Sequence, residues 1–565
     1  MRGDRSTGFV LSDFNTANLV GYLQNEDDLP VVDVSAAPYG QVQTLLVEPA
    51  HPIWPTALDF VIVWTRPESV LGAFRDLLDR REAAPDRLAR EVDDFAALLG
   101  AIARPERPVF VPTWTLPPFL RGLGVVDLKD PSGLRGQLLA ANARLVERLR
   151  PEPSVFTFDA DRWMASAGRA PFHNRLWYAG KIPYANEVFI EAGADFKAAL
   201  RALSGRTRKL LVLDLDGTLW GGLVGEVGWD ALRLGGHDPA GEAFVDFQCE
   251  LARLKRRGVL LAIASKNDEA KALEALDRHP EMVLRPRDFV ARRINWRDKA
   301  ENIAEMVAEL NLGLDSVVFV DDQPAERARV REVFPEVYVP EWPEDVLEYR
   351  KALLSLRCFD TAASSAEDLQ RTALYQDEGE RKRLKDRVGS LTEWLETLAI
   401  RVQIEELGPQ NVKRAAQLLN KTNQMNLSTR RLSEAELLAW ARQKDHRFWT
   451  FRLQDRFGDA GLIGLASFEA GDAISARLVD FVLSCRVFGR KVEETMIATV
   501  ISNLRQAGRR TLLAQYLPTA KNGPCLEFLQ NSGLRTDDGS LFTWDLSAPY
   551  ALPESIQVEG GPQFA

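Results

Sequence analysis

Two aspartates that follow an apolar run are the residues of this chain best placed to do chemistry. Residues 210–222 read LLVLDLDGTLWGG, so Asp214 and Asp216 lie one residue apart at the end of a predicted buried strand, before a Gly-Thr turn. Strand ends of this kind form the edge at which α/β sheets hold ligands. Two carboxylates there can bind Mg²⁺, which neutralises a phosphate so that a carboxylate can attack phosphorus. The pattern predicts phosphoryl chemistry through an aspartyl-phosphate.

Three segments further along the chain carry side chains that suit the same chemistry. GVLLAIASKN runs as a buried strand into Ser265, whose hydroxyl can bond a phosphoryl oxygen. NWRDKAENIAEMVAEL places Lys299 at the start of an amphipathic helix, where its ammonium can balance phosphate charge. SVVFVDDQPAER ends a third strand in Asp321 and Asp322, a second carboxylate pair for a hard cation.

This order of motifs resembles the haloacid-dehalogenase (HAD) superfamily. The resemblance implies that Asp214 is the nucleophile, that Asp216 is the general acid and base, and that Lys299 stabilises the charged intermediate. The residues that it implies for binding the substrate are Thr218, Ser265, Lys266 and Asn267. The Mg²⁺ ligands that it implies are Asp214, Asp216 through its main-chain carbonyl, Asp321 and Asp322.

The spacing of the motifs limits what can cover this site. Only 48 residues separate Asp216 from Ser265, and 33 separate Ser265 from Lys299. Neither gap has room for a lid domain in addition to its own strand and helix. We therefore expect a parallel sheet without a large cap and an open active site, which can admit the arm of a carrier protein.

Composition restricts the class of protein. The chain has 565 residues, of which 45% are hydrophobic and 27% charged, as in ordinary globular proteins of three or more domains. A formal charge of −10 without a long basic block argues against nucleic-acid binding. No signal-like or membrane-spanning apolar run is present, so we expect a cytoplasmic protein. The widely spaced Cys249, Cys358, Cys485 and Cys525 predict reduced thiols rather than a disulfide framework or a zinc site.

The predicted fold class is multidomain α/β. Four apolar runs before residue 200, FVLSDF, LDFVIVWT, RPVFVPTW and SVFTFDA, alternate with helical stretches and resemble the SGNH hydrolase fold. Ser12 and His173 would be its triad candidates, but position 170 is Ala and no Asp-x-x-His is present, so we expect a degenerate domain. The predicted domains are 1–200 (SGNH-like), 201–345 (HAD-like), 346–395 (helical connector, including DEGERKRLKDR), 396–550 (GNAT-like, α+β) and 551–565 (tail).

The C-terminal block predicts a strand, a turn at Gly489 and an amphipathic helix, then a further strand and helix. Backbone N–H groups at the start of such a helix can bind a pyrophosphate. The order resembles the GNAT acyltransferase fold, which binds the phosphopantetheine part of coenzyme A in that turn. The residues that this resemblance implies for pantetheine are Cys485, Arg486, Gly489 and Arg490.

Long strings across the chain resemble the FkbH-like proteins, a HAD branch of polyketide and related pathways. They include RLWYAGKIPY, LDLDGTLWGGLVGE, INWRDKAENI, NKTNQMNLSTRR and LSCRVFGRKVE. The resemblance implies removal of phosphate from D-1,3-bisphosphoglycerate and transfer of the glyceryl group to the phosphopantetheine thiol of an acyl carrier protein. An acyl phosphate is an activated donor, so a thiolate can take its acyl group without ATP, while the phosphate ester needs Mg²⁺ and aspartate.

One position departs from this family. Many members read V-C-S-K-N at the motif serine, with a cysteine immediately before it. This chain has Ala264 in place of that cysteine, which excludes a covalent glyceryl-enzyme at that position. Direct transfer to the carrier thiol, use of another cysteine such as Cys485, and a different substrate all remain open. A plain phosphatase of a small phosphorylated metabolite, with a structural C-terminal block, is the alternative function.

Overall fold

The computed structural model describes residues 5–25, 29–81, 86–117, 120–168, 170–362, 381, 390–471, 474–519 and 521–562. The chain divides into two compact units after Ser204, four residues beyond the predicted boundary. The four cysteines are free thiols. Within the described ranges, no helix is both long enough and apolar enough to cross a membrane.

The first unit is an α/β domain with a parallel sheet. Its described strands are β1 (Arg5–Ser12), β2 (Val31–Ala36), β3 (Phe60–Trp64), β4 (Val109–Pro112) and β5 (Val155–Phe158), in the order β2-β1-β3-β4-β5. Four of them fall on the predicted apolar runs; the missed one, β2, has an alternating burial pattern rather than a continuous apolar run. The strand order reverses between β1 and β3, and it is at such a point that open parallel sheets bind ligands.

Helices cover both faces of this sheet. They are α1 (Ala17–Leu23), α2 (Val42–Val47), α3 (Pro67–Val70), α4 (Gly72–Leu78), α5 (Arg87–Ile102), α6 (Leu134–Leu149), α7 (Ala160–Ser166), α8 (Asn174–Gly180) and α9 (Asn186–Leu203). Ser12 Oγ accepts from the Phe14 N–H, and the ring of His173 caps α8 by accepting from the Leu176 N–H. Both triad candidates therefore serve local structure.

The second unit begins with a parallel sheet that holds the predicted phosphoryl motifs. Strands β6 (Leu210–Leu213), β7 (Leu260–Ser265), β8 (Ala291–Ile294) and β9 (Val317–Val320) pair in the order β8-β7-β6-β9. Three of them, β6, β7 and β9, are buried along their whole length. The helices are α10 (Val224–Val227), α11 (Pro239–Arg256), α12 (Glu269–Arg278), α13 (Lys299–Glu309), α14 (Pro324–Val333) and α15 (Tyr349–Leu354).

No cap domain interrupts this sheet. Between β6 and β7 the described chain forms only the short α10, a 3-10 turn and α11, and α11 packs on the sheet. Since all four strands are parallel, the residues that follow them share one edge. The fold therefore leaves the carboxyl edge open, as the spacing predicts.

The C-terminal part is α+β. Its described strands are β10 (Ile400–Glu406), β11 (Met425–Asn426), β12 (His446–Asp455), β13 (Gly458–Ala470), β14 (Ser475–Leu483), β15 (Thr511–Gln515), β16 (Arg535–Thr536), β17 (Leu541–Asp545) and β18 (Ile556–Gly560). They form one sheet in the order β16-β17-β15-β14-β13-β12-β10-β18, with β11 paired to β14. Its helices are α16 (Leu391–Leu398), α17 (Val412–Lys421), α18 (Glu434–Ala441), α19 (Val492–Gln506) and α20 (Gly523–Asn531).

The predicted helical connector is only partly described. Helix α15 lies in its first third, whereas the DEGERKRLKDR stretch lies outside the described residues apart from Arg381. The Arg381 guanidinium makes two hydrogen bonds of 2.7 and 2.8 Å to the buried carboxylate of Asp455. This point of the connector is thereby anchored to the C-terminal sheet.

Candidate active site

Three carboxylates meet at the open edge of the second unit. Asp214 follows β6, and Asp321 and Asp322 follow the neighbouring β9. One ligand oxygen from each lies within 4.8 Å of the others. Asp214 and Asp321 are buried, and Asp322 is partly exposed, so the cluster opens towards solvent on the Asp322 side.

Lys299 supplies the positive charge of this cluster. It is the first residue of α13, and its Nζ lies 2.6 Å from Asp321 Oδ2 and 3.0 Å from Asp214 Oδ1. Burial lowers the pKa of Lys299, but the charges of Asp214 and Asp321 raise it by more, so the pKa is raised overall. Lys299 is therefore a fixed ammonium against Asp214, the carboxylate that the resemblance implies as the nucleophile.

The donor set fits a hard divalent cation. Asp322 Oδ1 is buried and has no hydrogen-bond partner among the described residues, while burial and the charge of Asp214 raise the pKa of Asp322. Three carboxylates with one ammonium leave excess negative charge, and carboxylate oxygens are what Mg²⁺ prefers. Asp214, Asp321 and Asp322 are therefore the residues that would hold it.

Gly217 leaves room for the carboxylate of Asp322. Its φ is +73°, and a Cβ on it would lie 2.5 Å from Asp322 Oδ2. Thr218, the next residue, is fully buried, and its Oγ1 accepts the Asp322 N–H at 3.2 Å. The Gly-Thr turn thus positions the Asp322 loop, and contact of Thr218 with a phosphoryl oxygen stays a prediction.

Asp216 lies outside the carboxylate cluster and has its own set of donors. Trp220 Nε1 donates to its Oδ1 at 2.7 Å, Asn267 Nδ2 donates to its Oδ2 at 2.8 Å, and the Val224 N–H donates at 3.2 Å. Burial raises the pKa of Asp216 although these donors oppose the rise. A raised pKa suits a carboxyl group that gives up a proton. The Asp216 side chain is not part of the carboxylate cluster, and metal binding through its main-chain carbonyl stays a prediction.

Sequence reasoning missed Trp220 and Tyr349. Trp220 lies inside the quoted LDLDGTLWGG motif but was given no role, and its indole is fully buried against Asp216. Tyr349, at the start of α15, donates its hydroxyl to the Gly217 carbonyl at 3.1 Å. No local signal marks Tyr349, because it is 132 residues from Gly217 in sequence.

Two other predicted substrate residues lie at the same edge. Ser265 is the last residue of β7 and is buried. Lys266 follows it and pairs with Glu326 of α14 at 2.6 Å. Ala264 is fully buried in the apolar layer between the sheet and α13, so its side chain belongs to the core.

Two groups of the turn predicted to bind pantetheine have partners within the chain. The Gly489 N–H donates to Glu493 Oε1 at 3.0 Å, and the buried Arg490 reaches Asp455 Oδ2 at 3.5 Å. Burial lowers the pKa of Arg490 to about 10 and raises that of Glu493 to about 7. Gly489 itself is exposed, and a pantetheine role for Gly489 and Arg490 stays a prediction.

Cys485 and Arg486 stay partly exposed, and their pantetheine role stays a prediction. Arg486 Nε donates to the Ser484 hydroxyl at 3.2 Å. The Cys485 carbonyl accepts from Asn311 Nδ2 at 3.2 Å, and Asn311 lies just after α13. This turn therefore packs against the part of the chain that carries the carboxylate cluster.

The edge of β14 beyond its pairing with β15 is also paired within the chain. β14 and β15 pair in parallel only from Ser475 to Leu478, and beyond this point β11 pairs with Val482 and Leu483 of β14. The Leu427 N–H then donates to the Phe481 carbonyl at 3.1 Å. The NQMNLS segment therefore takes the strand edge along which an extended ligand would otherwise pair.

No family model matches the chain, and no curated protein does. Among solved structures, the chain is similar to the N-terminal part of BF1531 from Bacteroides fragilis, which contains a phosphatase domain complexed with Mg. The identity is 30%, the match covers 64% of this chain and 95% of that one, and the TM-score is 0.57.

Two acetyltransferase structures also match about a quarter of the chain. One is an acetyltransferase of the GNAT family from Staphylococcus aureus, with 11% identity, 26% of this chain and 99% of that chain covered, and a TM-score of 0.22. The other is the ribosomal-protein-S18-alanine N-acetyltransferase from Escherichia coli, with 13% identity, 25% and 89% covered, and a TM-score of 0.19.

Proposed function

Because this chain belongs to the same family as the phosphatase-domain part of BF1531, we propose that it is a Mg²⁺-dependent enzyme that removes phosphate through an aspartyl-phosphate. The observation that carries the proposal is the cluster of Asp214, Asp321 and Asp322, in which the ammonium of Lys299 pairs with Asp214 and Asp321. Bound Mg²⁺ supplies positive charge that offsets these carboxylates and a substrate phosphate.

In the first step Asp214 attacks phosphorus. A bond forms between a carboxylate oxygen of Asp214 and the phosphorus, and the bond from phosphorus to the leaving oxygen breaks. Lys299, 3.0 Å from Asp214 Oδ1, holds the carboxylate in place and offsets the added charge. Asp216 gives its proton to the leaving oxygen, as its raised pKa favours.

In the second step water releases the phosphate. The carboxylate of Asp216 takes a proton from water, the water oxygen attacks phosphorus, and the bond to Asp214 breaks. Trp220 and Asn267 hold the Asp216 carboxylate through both steps. The enzyme returns to its starting protonation state with phosphate as the product.

The proposed substrate and acceptor come from the resemblance to FkbH-like proteins. The substrate is D-1,3-bisphosphoglycerate, and the glyceryl group passes to the phosphopantetheine thiol of an acyl carrier protein. The open carboxyl edge supports this proposal because no cap would exclude a carrier arm. Since Ala264 excludes an acyl-enzyme at its position, the proposed transfer goes directly from the acyl phosphate to the carrier thiol.

A plain phosphatase of a small metabolite is the second candidate. Two observations favour it: residues 425–427 fill the strand edge of β14, and Arg490 is buried against Asp455. In both cases a group that could contact pantetheine has a partner within the C-terminal domain. Under this alternative the C-terminal domain has a structural role only.

Intact-protein mass spectrometry distinguishes the two candidates. Holo-carrier proteins are incubated with the enzyme, Mg²⁺ and enzymatically generated 1,3-bisphosphoglycerate, and Asp214→Asn serves as the control. A glyceryl mass gain that requires the wild-type enzyme supports loading. Phosphate release without any gain on a carrier supports the plain phosphatase, and absence of phosphate release from every phosphorylated substrate tested would overturn both.

A further inference from the structure

A cavity in the first unit is not explained by the phosphatase chemistry. It has a volume of about 120 Å³ and lies beside the carboxyl ends of β3 and β4. Arg66 and Glu68, which follow β3, and residues 115–117, which follow β4, line it. This is the edge at which open parallel sheets bind ligands, close to the point where the strand order reverses.

The FHNRLWYAGKIPY segment, residues 172–184, forms one wall of the cavity. Phe172 and Tyr184 face each other in an antiparallel bridge, and the His173 N–H donates to the Pro183 carbonyl at 3.0 Å. Between them α8 places the ring of Trp177 against the cavity. The segment is thus a closed loop that gives the cavity an aromatic wall.

Arg66 holds that wall in position. Its guanidinium carbon lies 4.5 Å from the centre of the Trp177 ring, and its Nε donates to Asp13 Oδ2 at 2.8 Å. Lys181 Nζ lies 5.0 Å from the same ring. Because two cations already contact Trp177, the wall does not suit a cationic ligand.

Glu68 presents an acceptor without a donor. Its Oε1 lies 3.2 Å from Arg66 Nη1, while its Oε2 is buried and has no hydrogen-bond partner among the described residues. A buried carboxylate oxygen without a donor costs free energy, so an N–H or O–H donor from a ligand would stabilise it.

A hydroxyl pair presents the complementary group. Thr115 Oγ1 and Tyr184 Oη are 3.2 Å apart and buried, and both residues line the cavity. Two hydroxyls that share one hydrogen bond leave one proton to donate elsewhere. The cavity therefore offers an acceptor after β3 and a donor after β4, between apolar walls that include Leu116 and Phe172.

We infer that this cavity binds a small neutral ligand of the secondary-amide class, whose N–H bonds Glu68 and whose carbonyl bonds the Thr115–Tyr184 pair. An amide carries donor and acceptor on separate atoms, as the two separate polar walls require. A cavity of about 150 Å³ accepts benzene, so this one suits a ligand of about six non-hydrogen atoms. Binding here is independent of the phosphatase site.

Two isosteric probes test the inference on the full chain. N-methylpropionamide and methyl propionate differ only in the N–H that the ester replaces with oxygen. Ligand-observed NMR titrations are run at pH 8, because burial raises the pKa of the Glu68 carboxyl and the ionised form is the one to be tested. We expect the amide to bind at least about tenfold more tightly than the ester, because the ester places an oxygen lone pair, rather than an N–H donor, against Glu68 Oε2.

The variants Glu68→Gln and Tyr184→Phe locate the binding. In Glu68→Gln the amide oxygen turns to Arg66 and an NH₂ faces the cavity, so the preference for the amide should disappear. Tyr184→Phe should weaken amide and ester by the same factor, since both use the carbonyl. Equal binding of the two probes by the wild type, no binding of either, or an unchanged preference in a folded Glu68→Gln protein would overturn the inference.

Discussion

Replacement of Gly217 by alanine should damage the metal site through one carboxylate. The added Cβ would lie 2.5 Å from Asp322 Oδ2, whereas ordinary contact begins at 3.4 Å, so the carboxylate must move by about 0.9 Å. Mg²⁺ demands oxygen ligands near 2.0–2.1 Å in close to ideal geometry, so a shift of about 1 Å removes Asp322 as a ligand. We expect Mg²⁺ affinity to fall at least about tenfold.

Backbone strain must be separated from this effect. Both Gly217 and Gly236 have a φ of +73°, and a Cβ on Gly236 would meet no atom within 4 Å. An alanine in this region costs about 1–2 kcal/mol at either site. Gly236→Ala is therefore a matched control that carries the strain without the clash.

The assay is phosphate release from p-nitrophenyl phosphate at increasing Mg²⁺, with calorimetric Mg²⁺ binding and thermal unfolding of the same samples. Gly236→Ala should lose stability and keep the wild-type Mg²⁺ dependence. Gly217→Ala should lose similar stability when Mg²⁺ is chelated and require much more Mg²⁺ for activity. If the two variants have the same Mg²⁺ dependence, Asp322 is not a metal ligand and the reasoning fails.

Three further substitutions test other parts of the structure. Lys299→Met should abolish phosphate release. In EDTA it should lower the free energy of unfolding by about 3–5 kcal/mol, most of which Mg²⁺ should restore. The matched control Lys266→Met breaks an ion pair at the rim of the site and should lower the free energy of unfolding, measured by thermal unfolding, by under about 1 kcal/mol. Trp220→Phe should lower kcat by about 10-fold or more with little change in KM, because a hydrogen bond to the Asp216 carboxylate is lost; an unchanged kcat would refute its positioning role. Burial raises the pKa of Glu493 to about 7 in the folded protein, against an ordinary value of 4.5. The protonated form therefore stabilises the fold below pH 4.5, and this contribution, on the order of 3 kcal/mol, is lost as pH rises through 7. Glu493→Gln should reduce the fall in unfolding free energy between pH 5 and pH 8, measured in urea, and an identical fall in both proteins would contradict the assignment.

The phosphatase part was predictable because its signals are local. Apolar runs that end in Asp214, Ser265 and Asp321 are strands whose ends carry the polar residues, and parallel pairing places those ends at one edge. The lack of a cap also followed from sequence, since the residues between β6 and β7 suffice only for short helices and α11. The strand that was missed, β2, lacks a continuous apolar run.

Tertiary structure alone decided which side chains face each other. Trp220 and Asn267 reach Asp216, and Tyr349 reaches Gly217 across 132 residues, through side-chain directions that no periodicity specifies. The turn at Gly489 shows the converse. Its strand–turn–helix pattern was correctly predicted, but the hydrogen bond from the Gly489 N–H to the Glu493 carboxylate was not.

Sequence by itself therefore determined the secondary structure around the site and the chemistry of its residues, because both depend on neighbours within one strand and its turn. It did not determine which backbone groups and strand edges pair within the chain. That depends on segments distant in sequence, such as residues 425–427 against β14, and on where buried charges find partners. Those choices are settled only when the whole core packs and each buried polar group must be satisfied.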